Sequence, residues 1–233
     1  MSGRVVVVAG ASGLVGQALV RALLAEGRVA RVVCLVRRSL ALPPDLPGRD
    51  KLDERVVASF ERAALDLAMP KDVADAYCCL GTTIGAAGSQ EAFYKVDHDA
   101  VVAFAAAARA AGARRFVVVS AQGANRHSVS FYMRVKGDME ASVARLGFDA
   151  VHLARPGMLD GERTEKRLGE ELGLKALRGI SQLLGGPRFK YAPIRAATVA
   201  RAMITLAFGE ERGVTSSESA RLQELGGALG ASS

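Results

Sequence analysis

Residues 4–16 read RVVVVAGASGLVG, and this stretch decides the fold. The run at 4–9 is short and β-branched, which is typical of a strand that is buried on both faces. Glycines follow at positions 10, 13 and 16. Leu19 and Leu23 then fall on one stripe of a predicted helix at about 14–26, and Gly27 ends it.

The glycine spacing at this strand-to-helix turn predicts a dinucleotide site. Gly10 permits a tight turn, Gly13 lets the backbone approach a pyrophosphate, and Gly16 lets the helix pack against the sheet. The positive end of the helix dipole would face the phosphates. A turn that uses glycine only for packing is the alternative. The predicted phosphate-binding residues are Gly10, Ala11, Ser12, Gly13, Leu14, Val15 and Gly16.

Strand-like and helix-like segments alternate along the chain, which predicts an α/β protein with a mostly parallel sheet. We expect a single doubly wound Rossmann-type domain of about six to seven strands, with its core at about 1–158 and a small C-terminal substrate or lid region at about 159–233. Further strands are predicted at 31–36, 55–60, 74–80, 115–120, 150–154 and 189–192, and further helices at 89–111, 131–146, 162–184, 196–208 and 216–225.

The composition of the chain bears on which classes of partner, such as nucleic acid, membrane or metal, the protein is expected to bind. The net charge is +7, but the 31 basic residues are dispersed and are not interleaved with aromatic residues, so we expect no nucleic-acid partner. Uncharged apolar stretches are shorter than the roughly 18 residues of a membrane span, and no signal-peptide pattern is seen. Three cysteines and three widely spaced histidines predict no disulfide framework and no metal site. We expect a cytoplasmic protein.

The end of the second predicted strand bears on the choice of cofactor. A site for NAD(H) usually places an acidic residue there, whereas this chain has Arg37 and Arg38. A guanidinium can bind a 2′-phosphate through two charge-assisted hydrogen bonds, which a carboxylate would repel. The sequence therefore predicts NADP(H) in preference to NAD(H). Two solvated arginines at a strand end are the alternative.

Three residues form a candidate catalytic site. Tyr132 and Lys136 are four residues apart, on one face of a predicted helix, and Ser120 ends the fifth strand. A phenol near pKa 10 needs a neighbouring ammonium to act as an acid–base catalyst at neutral pH. Lys136 would supply that charge, and Ser120 would donate a hydrogen bond to the substrate oxygen.

Several segments together carry a resemblance: the glycine turn, residues 80–83, 87–89, 93–97 and 118–124, Tyr132 to Gly137 with Glu140, and Arg155-Pro156 with Gly161. Over about residues 4–167 the chain resembles the short-chain dehydrogenase/reductase superfamily, and specifically its atypical branch related to the Tat-interacting oxidoreductases and bacterial epimerase-like proteins. The resemblance implies an NADP-binding Rossmann domain with a Ser120–Tyr132–Lys136 site. It also implies cofactor contacts from Leu80, Gly81, Thr82, Tyr132, Lys136, Arg155 and Pro156.

Two positions depart from that pattern. Many relatives carry an aspartate after the third strand that contacts adenine, whereas this chain reads Ala58-Ser59-Phe60. Extended members often supply an asparagine from the helix after the fourth strand, and this chain has Asp97.

The predicted function is NADP(H)-dependent hydride transfer to or from a small carbonyl or alcohol substrate. Leucines at 161–193 suggest an apolar cover, and the chain is short for a nucleotide-sugar substrate domain. The alternative, motivated by Asp97 and by the small substrate region, is a catalytically weak or inactive NADP(H)-binding regulatory protein with protein partners. Either would be a monomer or a homodimer.

Overall fold

A computed structural model describes residues 3–160 and 193–228, and these residues build a parallel sheet covered by helices on both faces. Its strands are β1 (Arg4–Ala9), β2 (Val29–Val36), β3 (Leu52–Val56), β4 (Asp75–Cys78), β5 (Arg115–Val119), β6 (Ala150–Arg155), β7 (Leu159–Asp160), β8 (Ile194–Arg195) and β9 (Gly213–Glu218). Its helices are α1 (Leu14–Ala25), α2 (Arg62–Ala68), α3 (Ile84–Ala87), α4 (Gln90–Tyr94), α5 (Ala100–Ala110), α6 (Phe131–Ala144), α7 (Ala196–Phe208) and α8 (Ser219–Ala228).

The main sheet has seven parallel strands in the order β3-β2-β1-β4-β5-β6-β9, and β7 pairs separately with β8. The predicted doubly wound α/β fold is therefore confirmed. The chain reverses its direction of winding between β1 and β4, so a crevice lies beyond the carboxyl ends of these strands. Ligands of open α/β sheets bind at such a switch point. The predicted site residues end or follow β1, β2, β4, β5 and β6 at this same edge.

Alternate side chains of the central strands fill two apolar cores. Val6 and Val8 of β1 face a core that includes Leu19 of α1 and Met203 of α7. Val7 belongs to the other core, on the side of α5 and α6. Each fully buried side chain of this size contributes about 1.5–3 kcal/mol relative to an exposed one. The continuous apolar run of β1 is explained by this burial on both faces.

The third strand begins three residues earlier than its predicted range of 55–60. It pairs with β2 from Leu52 opposite Val32 to Val56 opposite Val36. The Val57 N–H donates to the carbonyl oxygen of Val36, at the last residue of β2. Because β2 ends there, the following residues have no strand to pair with, and the chain turns towards α2.

A strand that the sequence did not predict lies near the C-terminus. The predicted helix at 216–225 begins only at Ser219, because β9 pairs with β6 over Gly213–Glu218 and forms the edge of the sheet. Most of β9 is exposed or half-buried, so it lacks the apolar alternation that marks a strand. The helix predicted at 196–208 is confirmed as α7. The elements predicted at 162–184 and 189–192 lie outside the described residues.

The long helix predicted at 89–111 is divided by a π-helical turn. α4 leads into the turn at Lys95–Asp99, and α5 continues from it. A π-helical turn accommodates an extra residue within a helix and often occurs at functional sites. Asp97 lies in this turn, with its side chain buried.

Candidate active site

The turn between β1 and α1 has a backbone that requires glycine at two positions. Gly10 has a φ of +78°, and a Cβ there would lie 2.3 Å from the carbonyl carbon of Cys79. A Cβ on Gly16 would lie 2.0 Å from the carbonyl oxygen of Gly10. Both distances are far below contact range. By contrast, a Cβ on Gly13 would make an ordinary 3.5 Å contact with Gly10.

The N-terminus of α1 is arranged as a cradle for an anion. Gly13 occupies the cap position, where it offers no side chain, and both Ser12 and Gly13 are exposed. The N–H groups of the first helical turn therefore lack a capping side chain, and the helix dipole adds positive potential. This geometry fits the pyrophosphate of a dinucleotide.

Arg37 and Arg38 follow β2 directly, and both side chains are exposed. Neither has an ion-pair or hydrogen-bond partner within the described part of the chain. The nearby carboxylate of Glu54 is already occupied, because the Ser39 hydroxyl and the Leu40 N–H both donate to its Oε2, at 2.7 and 2.8 Å. The two guanidinium groups are thus available to an external anion.

Lys136 of α6 forms a buried ion pair with Asp97 of the π-helical turn. Lys136 Nζ lies 2.7 Å from Asp97 Oδ1, and Asp97 Oδ2 accepts the N–H of Thr82 at 2.8 Å. Burial alone would lower the pKa of Lys136, but the charges of Asp97 and Tyr132 and the hydrogen bond with Asp97 raise it above its usual value. Lys136 therefore remains an ammonium. The pairing joins α6 to the predicted cofactor-contacting loop at residues 80–82.

A second buried cluster surrounds Ser120. The Ser120 hydroxyl donates to Glu140 Oε1 at 2.6 Å. Arg155 Nε donates to the same oxygen at 2.8 Å, and Arg155 Nη2 donates to Glu140 Oε2 at 2.5 Å. The hydrogen bond with Glu140 raises the pKa of Arg155 despite its partial burial. Glu140 belonged to the sequence resemblance but was not predicted as the partner that joins Ser120 to Arg155.

A cavity of about 370 Å³ opens at the carboxyl ends of β5 and β6. The aromatic ring of Tyr132 packs against Phe93, with the two ring centroids 5.6 Å apart. Ser120 and Lys136 are buried and are not among the described residues that line this cavity. Sequence reasoning missed Gln122, since glutamine in a loop carries no motif. The cavity is lined by Ala121, Gln122, Tyr132, Met133, Pro156, Gly157 and Met158.

The described residues also bear on metal binding, on membrane-spanning helices and on the state of the cysteines. No group of three or more metal-ligating side chains occurs in residues 3–160 and 193–228. In the same residues, no helix is long and apolar enough to cross a membrane. Cys34, Cys78 and Cys79 are free thiols, and burial raises the pKa of Cys34 and of Cys78 to about 12.

The parallel sheet, the glycine turn and the uncapped helix define a dinucleotide-binding protein of the Rossmann class. The family described as NAD(P)H-binding matches residues 10–208, and the chain belongs to this family, within the atypical branch of the short-chain dehydrogenase/reductase superfamily that the motifs predicted.

Three relatives illustrate the similarity. The chain is 36% identical to "Protein fmp52, mitochondrial" of Aspergillus niger, over 76% of this chain and 74% of the relative. It is 36% identical to "Protein HTATIP2" of Rattus norvegicus, over 75% of this chain and 71% of the relative. It is 35% identical to "Protein FMP52-1, mitochondrial" of Scheffersomyces stipitis, over 94% of this chain and 96% of the relative.

Solved structures support the fold at low sequence identity. MoeE5 in complex with UDP-glucose and NAD is 19% identical and superimposes with a TM-score of 0.66, over 91% of this chain and 75% of that one. The UDP-N-acetylglucosamine 4-epimerase of Methanobrevibacter ruminantium M1 is 18% identical, with a TM-score of 0.69 over 93% of this chain and 77% of that one. The protein thus has the NAD(P)-binding fold of oxidoreductases and epimerases.

The expected cytoplasmic location is wrong by these comparisons, because several relatives are named as mitochondrial proteins. The length of apolar stretches and the signal-peptide pattern, on which that expectation rested, do not specify a compartment.

Proposed function

We propose that the protein is an NADP(H)-dependent oxidoreductase that interconverts a small carbonyl compound and its alcohol. The observation that carries this proposal is the position of Tyr132, which is one of the residues that line the cavity at the carboxyl edge of the sheet. Lys136 lies one helical turn further along α6 and is kept as a buried ammonium. The bound nicotinamide would supply or accept the hydride.

The chain's own residues would supply the rest of the chemistry. In the direction of reduction, Tyr132 gives its phenolic proton to the substrate oxygen, and the ammonium of Lys136 stabilises the phenolate that results. The Lys136–Asp97 ion pair holds Lys136 at a fixed position, so that its charge acts on Tyr132 without reorganisation. Loss of the Tyr132 hydroxyl should therefore slow turnover strongly while leaving the cofactor site intact.

The activity is tested with wild-type protein and a Tyr132→Phe variant, which lacks only the phenolic hydroxyl. We expect the wild type to oxidise NADPH with some members of an aldehyde and ketone panel, and the variant to lose at least about 10²-fold in kcat/KM, the scale of general acid–base catalysis. NADPH affinity should be similar in both. No turnover above background by the wild type, with identical behaviour of the variant, contradicts the proposal.

The preference for NADP(H) would come from Arg37 and Arg38, which are exposed and unpaired in the described structure. We expect NADPH to bind at least about tenfold more tightly than NADH, or about 1.4 kcal/mol. Replacing both arginines by serine should remove this difference by weakening NADPH alone. Arg21→Ser, on the exposed face of α1, controls for lost positive charge. Equal affinities of the wild type by calorimetry would contradict the preference.

A second candidate function, NADP(H) binding without turnover, is favoured by the ion pair between Lys136 and Asp97. Lys136 already has a carboxylate partner in Asp97, so its charge is partly neutralised before any substrate binds. A protein that binds NADP(H) to set its shape for protein partners, without turnover, would tolerate this arrangement. It predicts normal NADPH binding, no oxidation with the carbonyl panel, and no effect of Tyr132→Phe. The monomeric or homodimeric state remains a prediction for either function.

A further inference from the structure

Gln122 carries an unsatisfied polar group in the wall of the cavity. Its side-chain Nε2 and Oε1 are both buried, and neither has a hydrogen-bond partner among the described residues. Buried amides are nearly always hydrogen-bonded, because withdrawing them from water without a partner destabilises the fold. Its backbone is nevertheless anchored, since the Gln122 N–H donates to the carbonyl oxygen of Pro156 at 3.0 Å. Such a group is expected where a ligand completes the hydrogen bonding.

The hydroxyl of Ser120, two residues earlier, is engaged within the protein. Its single hydrogen is donated to Glu140, which also holds Arg155. A hydroxyl has one hydrogen to donate. Turning it towards a substrate would remove one donor from a carboxylate that is only 6% exposed. Ser120 itself is 4% exposed and lies outside the described lining of the cavity.

We propose that the Gln122 carboxamide, and not the Ser120 hydroxyl, donates the hydrogen bond to the oxygen of a carbonyl substrate. This inference rests on the oxidoreductase function proposed above. Gln122 and Tyr132 line the same cavity, which places a neutral donor and a proton source around one binding space. Ser120 is then a positioning residue that fixes Glu140, and Glu140 in turn holds Arg155.

Gln122 transfers neither a proton nor electrons in the reduction of the carbonyl group. The carbonyl carbon gains the hydride of the reduced nicotinamide, the electrons of the C=O π bond move to the oxygen, and that oxygen takes the proton of Tyr132. The carbonyl compound is reduced to an alcohol while the nicotinamide is oxidised. The Gln122 N–H only stabilises the negative charge as it develops on the oxygen.

Gly157, which lies next to the Gln122 side chain, supports the assignment. A Cβ on Gly157 would lie 2.9 Å from Gln122 Oε1 and 3.2 Å from the hydroxyl oxygen of Ser219. The Gly157 N–H already donates to that Ser219 oxygen at 2.8 Å. A side chain at 157 would therefore displace the amide of Gln122, so Gly157→Ala should impair the same interaction indirectly.

The test compares Gln122→Met with Ser120→Ala and with Gln90→Met, an exposed control in α4. Methionine keeps the length of glutamine and removes the unsatisfied amide. We expect Gln122→Met to lower kcat/KM for aldehydes and ketones by roughly 10²-fold, with unchanged NADPH affinity and an equal or higher melting temperature. Ser120→Ala should lower the melting temperature, because Glu140 loses a buried donor. Unchanged kcat/KM in Gln122→Met, or a lower melting temperature with equal activity, would overturn the inference.

A second measurement separates this inference from the proposed activity. If the wild type shows no turnover, the oxidoreductase proposal fails, and the assignment of Gln122 is decided by binding. Isotope-labelled, NADPH-saturated protein would be titrated with cyclohexanone and glyceraldehyde while the side-chain amide resonance of Gln122 is followed. Its absence from the Gln122→Met spectrum identifies the resonance. A saturable shift supports Gln122 as the carbonyl-binding donor, and no shift with either compound overturns it.

Discussion

The Lys136–Asp97 pair shows how one buried contact fixes both charge and position. Each side chain is at most 5% exposed, and the two come from different elements. Pairing offsets the cost of removing both charges from water. The same carboxylate also accepts the Thr82 N–H, so the loop after β4 depends on it. The aspartate that departs from the family pattern is thus part of the local architecture.

Replacing Asp97 by asparagine should leave the ammonium of Lys136 buried without its counter-charge. Breaking a buried pair on one side costs about 3–5 kcal/mol in the free energy of unfolding. Burial would then lower the pKa of Lys136 unopposed by Asp97. Urea unfolding measures the loss, with Glu91→Gln as a control because the Glu91–Lys95 pair is exposed. Equal unfolding free energies for wild type and Asp97→Asn would show that the ion pair does not stabilise the fold.

His152 gives stability a dependence on pH. It is buried in β6, where Nδ1 lies 2.8 Å from the Thr215 hydroxyl oxygen, and burial lowers its pKa. As the pH falls through about 6.5, the unfolded chain takes up a proton that the folded protein resists. Stability from His152 is therefore present above that pH and declines below it, by up to about 1.4 kcal/mol per pH unit.

A His152→Gln variant tests this dependence, because glutamine can still bond Thr215 but does not titrate. Between pH 7 and about 5, its free energy of unfolding should fall less steeply than that of the wild type. Urea unfolding at each pH supplies the two curves. Parallel curves would mean that other groups account for the pH dependence.

At the scale of elements, α7 and α8 pack so closely that a glycine is required between them. A Cβ on Gly226 would lie 2.2 Å from the carbonyl oxygen of Thr198, whereas a Cβ on the adjacent Gly227 meets nothing within 4 Å. Arg201 adds to the contact by donating from Nε to the Gly226 carbonyl oxygen at 2.7 Å. The close approach of these helices covers the sheet beside α1.

The two neighbouring glycines form a matched pair of substitutions. Gly226→Ala should destabilise the protein by about 1–3 kcal/mol, because the helices must separate to admit the methyl group. Gly227→Ala should be neutral or stabilising by about 0.5 kcal/mol, since alanine favours a helix over glycine. Thermal unfolding distinguishes the two variants. Similar destabilisation by both variants would show that the effect does not come from the close contact with Thr198.

At the scale of the whole molecule, a net charge of +7 should draw in an anionic cofactor. Stopped-flow fluorescence of NADPH would measure the association rate at rising salt. We expect it to fall as the Debye length shortens from about 30 Å at 0.01 M to about 3 Å at 1 M. NADH should show a weaker dependence, because it lacks the 2′-phosphate. Identical salt dependence for both would assign the attraction to the pyrophosphate alone.

Local periodicity was enough to predict much of this fold. The β1 run, the glycine turn and α1 follow from neighbouring residues, because burial on two faces and a tight turn leave direct marks in sequence. The helix α7 was predicted at its observed bounds for the same reason. The edge strand β9 was missed, since its exposed face needs no apolar residues and its pairing partner lies about 60 residues earlier.

The sequence by itself determined a dinucleotide-binding Rossmann fold and the residue types that meet at its carboxyl edge. Only the tertiary structure decided how those residues are paired. It joined Lys136 to Asp97, committed Ser120 and Arg155 to the same carboxylate of Glu140, and left the Gln122 amide unpaired in the cavity that Tyr132 also lines. These pairings depend on long-range packing, because a hydrogen bond is made between groups that the fold brings within 3 Å, whatever their separation along the chain.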